Sequence, residues 1–282
     1  MPELPEVETI VRQLDKVLSR QIITDIEVRR EKALLGDPRQ IIGKKIGEVS
    51  RKAKMVVITF VDVDLVMVIH LKMTGQLIYI ENSRRVMGGH PTADWVNALP
   101  SPSTRVIFDF DNGSKLFFND LRTFGWMKLF SKQNWNRMAT KLPPDVTDKE
   151  FTLEYFVGVI SKSTRAIKLT LLDQAKLGGI GNIYANDALY KSKIDPRRRT
   201  KDLEADEVRR LYESIKEVIV LGIKYGGASV DKFVDAAGVG GQYQEHFLVY
   251  DREDEKCKRD GATIIKTKLG GRGTYYCPTC QI

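Results

Sequence analysis

Val7, Ile10, Val11, Leu14, Val17 and Leu18 recur at the spacing of one helix face, which predicts an amphipathic helix over residues 5–19. From Ile22 the pattern turns to short runs rich in β-branched residues. These predict strands over 22–28, 46–50, 55–60, 65–71, 76–80, 105–110, 115–118 and 126–130. Asp111-Asn112-Gly113 lies between two of them and reads as a hairpin turn. Some eight short strands need a partner for their apolar faces, so two packed sheets are expected, a sandwich or flattened barrel.

Residues 81–104 contain Gly88, Gly89, Pro91, Pro100 and Pro102 with little periodicity, and read as a long loop. The stretch 133–150, with Pro143-Pro144, reads as an interdomain linker. Beyond it the period becomes helical, over 151–161, 165–174, 183–191 and 203–225. Gly178-Gly179-Ile180-Gly181-Asn182 separates the second and third helices, so helices joined by tight turns are expected. A glycine-rich segment, 226–245, predicts a mobile loop, and a cysteine-bearing tail follows. The expected organisation is α+β in two domains: a β-sandwich with its N-terminal helix at 1–132, the linker at 133–150, a helical unit at 151–246, and a hairpin at 247–282.

At 282 residues the chain is long enough for two domains with real cores. Lys and Arg total 45 against 37 Asp and Glu, a net charge of +8, which suits a polyanionic partner such as nucleic acid. No run of eighteen apolar residues exists, and the N-terminus lacks the basic-then-apolar design of a signal peptide. A cytoplasmic protein with no membrane partner is therefore expected. The three cysteines all lie near the C-terminus, and their odd number argues against a disulfide framework.

Two places carry candidate chemistry. At the start stands Met1-Pro2-Glu3-Leu4-Pro5-Glu6. Removal of Met1 would leave Pro2 with a free secondary amine, and an α-amine titrates near 7.7–8.0, so a useful fraction is neutral and nucleophilic. Attack on a sugar C1′ gives an iminium, the electron sink that an elimination needs. Glu3 is placed to move protons there, and Glu6 to support it. Pro and Glu are equally ordinary openings for a helix. In the tail, Cys257-Lys258-Arg259-Asp260 is followed, after sixteen residues, by Cys277-Pro278-Thr279-Cys280. With a cysteine at 260 this would be zinc-ribbon spacing. An aspartate oxygen can complete a tetrahedral site but is harder than thiolate and binds zinc less tightly. A metal-free hairpin held by packing is the alternative.

The opening motif, Gly181-Asn182-Ile183-Tyr184-Ala185, Gly271-Arg272-Gly273 and Tyr276-Cys277-Pro278-x-Cys280-Gln281 together resemble the bacterial formamidopyrimidine-DNA glycosylase family. The resemblance runs from first residue to last. It implies a β-sandwich N-domain, a helix-two-turns-helix domain and a zinc finger with one structural zinc held by Cys257, Asp260, Cys277 and Cys280. It also implies a bifunctional base-excision repair enzyme: a glycosylase for oxidised purines and a lyase at the resulting abasic site.

Carried over by position, Pro2 matches the nucleophile, Glu3 the acid/base and Glu6 a supporting carboxylate. Lys54, His70, Asn182 and Arg272 match contacts to DNA phosphate. Met73, Arg122 and Phe124 match the trio that fills the gap left when the damaged nucleotide leaves the stack. Arg105 stands where a histidine is common, the stretch 81–103 is longer than in the family, and 226–245 corresponds to the loop covering the flipped base. The expected partner is double-stranded damaged DNA, bound by a monomer. Two other readings stay open: a damage-binding protein without turnover, and an enzyme of the same scaffold preferring oxidised pyrimidines or abasic sites.

Overall fold

Helix α1 (Leu4–Leu18) turns the predicted face inward, with Leu4, Val7, Ile10, Val11, Leu14, Val17 and Leu18 all buried. Its first turn is closed reciprocally: the Glu3 carboxylate accepts from the backbone N–H of Glu6, and the Glu6 carboxylate accepts from that of Glu3 at 2.7 Å. In the computed structural model, which describes residues 1–90, 92–228 and 241–282, α1 belongs to the first of two compact units. That unit comprises Met1–Lys141 with residues 226–228 and 241; the second comprises Leu142–Tyr225 and Gln242–Ile282.

Among the described residues the first unit contains ten strands: β1 (Ile23–Val28), β2 (Leu34–Leu35), β3 (Ile46–Lys52), β4 (Met55–Phe60), β5 (Leu65–His70), β6 (Gly75–Glu81), β7 (Arg84–Gly89), β8 (Thr104–Phe110), β9 (Lys115–Asp120) and β10 (Trp126–Ser131). They form two five-stranded sheets, ordered β1-β8-β9-β6-β7 and β2-β10-β5-β4-β3. One core joins both sheets to α1: Leu77, Val106, Phe108 and Phe118 from the first meet Val56, Ile58, Met67 and Ile69 from the second, with Val7, Ile10 and Leu14. This is the expected sandwich.

Two expectations change. The stretch read wholly as loop begins with β7, paired antiparallel to β6 with Gln76 opposite Gly89 and Glu81 opposite Arg84. Glycine and arginine hide it from a propensity reading. Gly88 has a packing reason: a Cβ there would lie 1.9 Å from Cγ1 of Ile10, so a side chain would push α1 away. The segment read as linker is helical over its first part, α2 (Lys132–Ala139), which Ser131 caps by accepting from the Asn134 N–H.

The second unit is built on α3 (Leu153–Ser161), α4 (Ile167–Leu171), α5 (Asn182–Lys191) and α6 (Ala205–Lys224). A hairpin of β11 (Ile265–Leu269) and β12 (Arg272–Tyr276) turns through Gly270 and Gly271, both at positive φ. The hairpin is docked on α5 through the Asn186 side-chain oxygen Oδ1, which accepts from the Tyr275 N–H at 3.0 Å. Asp187, fully buried on α5, accepts from the backbone N–H of Leu248, Val249 and Tyr250 and from the Tyr243 hydroxyl. Burial pushes its carboxyl pKa up, against these four donors.

Candidate functional site

Pro2 is buried at the mouth of α1, and Glu3 behind it is 4% exposed. The reciprocal cap with Glu6 fixes Glu3, the residue that follows Pro2, at the helix start. Glu6 does more than cap: its second carboxylate oxygen accepts from the Ala228 N–H at 2.7 Å. Gly227 sits at φ +82, and a Cβ there would lie 2.7 Å from the same oxygen. Glu6 thus ties the start of α1 to the near end of the glycine-rich segment. Residues 229–240, within the predicted loop over the flipped base, lie outside the described residues.

Lys54 occupies the two-residue turn between β3 and β4, where Lys52 pairs with Met55 and Ala53 takes φ +52. It is 5% exposed. The turn is held from α1: Arg51 donates from Nε to Glu8 at 2.8 Å and from Nη1 to the Ala53 carbonyl at 2.9 Å. Burial raises the Glu8 pKa, and the hydrogen bonds and charges of Arg51 and Arg12 outweigh it, leaving the pKa below its ordinary value.

His70 pairs with Met55 on one side and Trp126 on the other, which sets it beside Lys54. Its Nδ1 accepts the Lys72 N–H at 3.0 Å. Burial, with the charges of Lys72 and Lys54, lowers its pKa to about 4. The ring is neutral near pH 7, its proton sits on Nε2, and it offers a donor suited to a phosphate oxygen.

Met73, after β5, and Arg122 and Phe124, after β9, are exposed on neighbouring turns of the same unit. The Arg122 guanidinium lies 4.8 Å from the Phe124 ring centroid. Arg105 donates to the carbonyls of Asp120 and Pro102, both at 2.9 Å, and shares a shallow recess with Arg30, Lys32, Thr123 and Gly125. Arg30 and Lys32 were not singled out from sequence, although Arg29-Arg30-Glu31-Lys32 is a basic run that signals them.

In the second unit Asn182 opens α5 and donates to the Gly273 carbonyl at 3.1 Å, one residue past Arg272. Lys168, 0% exposed, donates to the same carbonyl at 2.7 Å and to the Thr274 hydroxyl at 2.8 Å. Asn182 and Arg272 are thereby brought together, with α5's opening N–H groups, capped by no side chain, beside them. Lys168 was missed from sequence; its signal was a lone charge inside the apolar segment Ile167–Leu171.

The tail also closes on itself. The ligand atoms of Cys257, Asp260, Cys277 and Cys280 all lie within 4.8 Å of one another. Cys257 Sγ is 3.9 Å from Cys280 Sγ, and Cys277 Sγ is 3.4 Å from Asp260 Oδ2. Tetrahedral zinc would space two sulfurs by about 3.8 Å, and a sulfur and an oxygen by about 3.5 Å. The group fits that ion, with aspartate as the fourth donor. Among the described residues no helix is long and apolar enough to cross a membrane.

Three family models match. The formamidopyrimidine-DNA glycosylase N-terminal domain matches residues 1–127, the formamidopyrimidine-DNA glycosylase H2TH domain residues 142–234, and the zinc finger found in FPG and IleRS residues 254–282. A formamidopyrimidine-DNA glycosylase of Desulforamulus reducens is 38% identical, covering 100% of this chain and 99% of the relative. The Lactococcus lactis Fpg in complex with abasic-site DNA superposes with a TM-score of 0.87 at 32% identity, covering 99% of each chain. The same Lactococcus lactis protein bound to Fapy-dG DNA gives a TM-score of 0.86 at 32% identity, also covering 99% of each chain.

Proposed function

The chain belongs to the formamidopyrimidine-DNA glycosylase family, and from that premise we propose that it removes oxidised purines from duplex DNA and then cleaves the strand at the abasic site. The observation that carries the reading is a buried Pro2 directly preceding Glu3, whose backbone and carboxylate are fixed at the start of α1 by the reciprocal cap with Glu6. Once Met1 is removed, the Pro2 amine stands at the positive end of a helix dipole, which disfavours its ammonium form. That lowers the cost of presenting a neutral nucleophile.

The amine attacks C1′ and the base departs with its bonding electron pair, taking up a proton. Glu3 assists by protonating the sugar ring oxygen as the ring opens. The amine loses its remaining proton as the iminium forms. The iminium acidifies C2′, so removal of a proton there expels the 3′-phosphate, and a second elimination expels the 5′-phosphate. Water finally hydrolyses the imine and frees Pro2. Lys54, His70, Asn182 and Arg272 hold phosphates around the lesion, while Met73, Arg122 and Phe124 occupy the gap in the stack. Arg105 contacts the DNA beside that gap. A structural zinc held by Cys257, Asp260, Cys277 and Cys280 would brace the hairpin that carries Arg272. This reading places the protein, as a monomer, in the cytoplasm or nucleoid.

Borohydride reduces an iminium to a stable amine, so it should freeze a covalent protein–DNA adduct on a duplex carrying an oxidised purine. Glu3→Gln should lose most of that adduct. A correctly processed wild-type protein that forms none, on any lesion, overturns the proposal. Trapping confined to oxidised pyrimidines or abasic sites would keep the chemistry and reassign the substrate.

A further inference from the structure

The turns carrying Met73 and the Arg122–Phe124 pair come from strands far apart in sequence, yet a buried carboxylate joins them. Asp120 is 1% exposed and Thr74 is 8% exposed. One Asp120 oxygen accepts the Thr74 hydroxyl, and the other accepts the Gly125 N–H at 2.6 Å. The Thr74 hydroxyl oxygen in turn accepts the Arg122 N–H at 3.0 Å. Asp120 and Gly125 bracket the turn containing Arg122 and Phe124, and Thr74 directly follows Met73. A Cβ on Gly125 would lie 2.9 Å from Phe118 and 3.1 Å from the Asp120 carboxylate, so the far end of the turn has no slack. At the tips, by contrast, Met73 is 41% exposed and Phe124 is 53% exposed.

From this geometry, and resting on the function proposed above, we propose that Asp120 and Thr74 are positioning residues that fix the spacing between Met73 and the Arg122–Phe124 pair. Neither touches the reacting atoms. Side chains that enter a base stack displace stacked bases and incur the unstacking cost, so a loosely held wedge must also be ordered as it enters. The shared carboxylate makes both tips parts of one rigid element before DNA arrives. Its effect is confined to substrates that have a stack to open.

The test compares two substrates under single-turnover conditions: a duplex containing an oxidised purine, and a single strand containing an abasic site, which has no opposing base and no stack. Thr74→Val keeps the side-chain shape and removes the hydroxyl, and Thr74→Ser restores it. Thr74→Val is expected to slow duplex excision roughly tenfold or more while borohydride trapping on the single strand stays within about twofold of wild type. Thr74→Ser should recover the duplex rate. Asp120→Asn, which turns an amide N–H toward one of the two donors, should behave like Thr74→Val. Fluorescence of 2-aminopurine beside the lesion should rise later in both impaired variants, reporting slower unstacking. An active wild type with Thr74→Val equal to it on both substrates, or slowed equally on both, overturns the positioning role alone. A wild type that traps nothing on either substrate overturns the proposed function and this role with it.

Discussion

The Arg51 guanidinium lies 2.8 Å from the Glu8 carboxylate, with the arginine side chain 7% exposed and the glutamate side chain 20%. The pair crosses from the second turn of α1 to the end of β3, and Arg51 also holds the carbonyl of Ala53 in the turn that carries Lys54. The helix presenting Pro2 and the turn presenting Lys54 are therefore set by one ion pair.

Removing Arg51 leaves a half-buried carboxylate, still bonded by Arg12, and a turn carbonyl each short of a donor. Arg51→Ala should destabilise the protein by about 1–3 kcal/mol, read as a lower urea midpoint. Incision should fall further than folding alone explains, because Lys54 loses its fixed position. Glu8→Gln should have the smaller effect, since an amide oxygen still accepts from Arg51.

His70 sets a pH dependence of known sign. Its folded pKa, about 4, lies below the ordinary 6.5, so the folded chain binds this proton less readily than the unfolded one. The contribution to stability is complete above pH 6.5 and is lost as pH falls through 6.5 toward 4, about 3 kcal/mol in all. Urea midpoints measured across that range should fall in wild type and flatten in His70→Gln. The activity profile between pH 7 and 8 should show no inflection from this ring.

For the cysteine-bearing tail, elemental analysis of purified protein should find one zinc per chain. Cys277→Ser should lose it. Asp260→Cys should retain zinc against a chelator that strips the wild type, because thiolate is the softer donor. Chelation should also weaken DNA binding, since a two-stranded hairpin is marginal alone and Arg272 sits on it.

Arg272 is exposed at the start of β12, beside the hairpin turn. Arg272→Ala should weaken damaged and undamaged duplex alike and lower the slope of log affinity against log salt by about one. Lys168→Met should reproduce part of this loss from inside the protein, by releasing the Gly273 carbonyl that steadies the same hairpin.

What was legible in the residues was local. The spacing of Val7, Ile10, Val11 and Leu14 determined both α1 and its buried face, and the β-branched runs determined eight strands, because periodicity reports which side of one element faces the core. The motifs at Pro2, Asn182, Arg272 and the cysteines determined the family. Tertiary structure alone decided how separated positions meet. Strand β7 carries Gly88 where Ile10 of α1 leaves no room for a side chain, and a residue 78 positions away leaves no mark on local spacing. Glu8 with Arg51, Thr74 with Asp120, and Lys168 with Gly273 are likewise single hydrogen-bonded pairs between distant segments. Each is selected by the register of two packed elements, which exists only once the chain has folded.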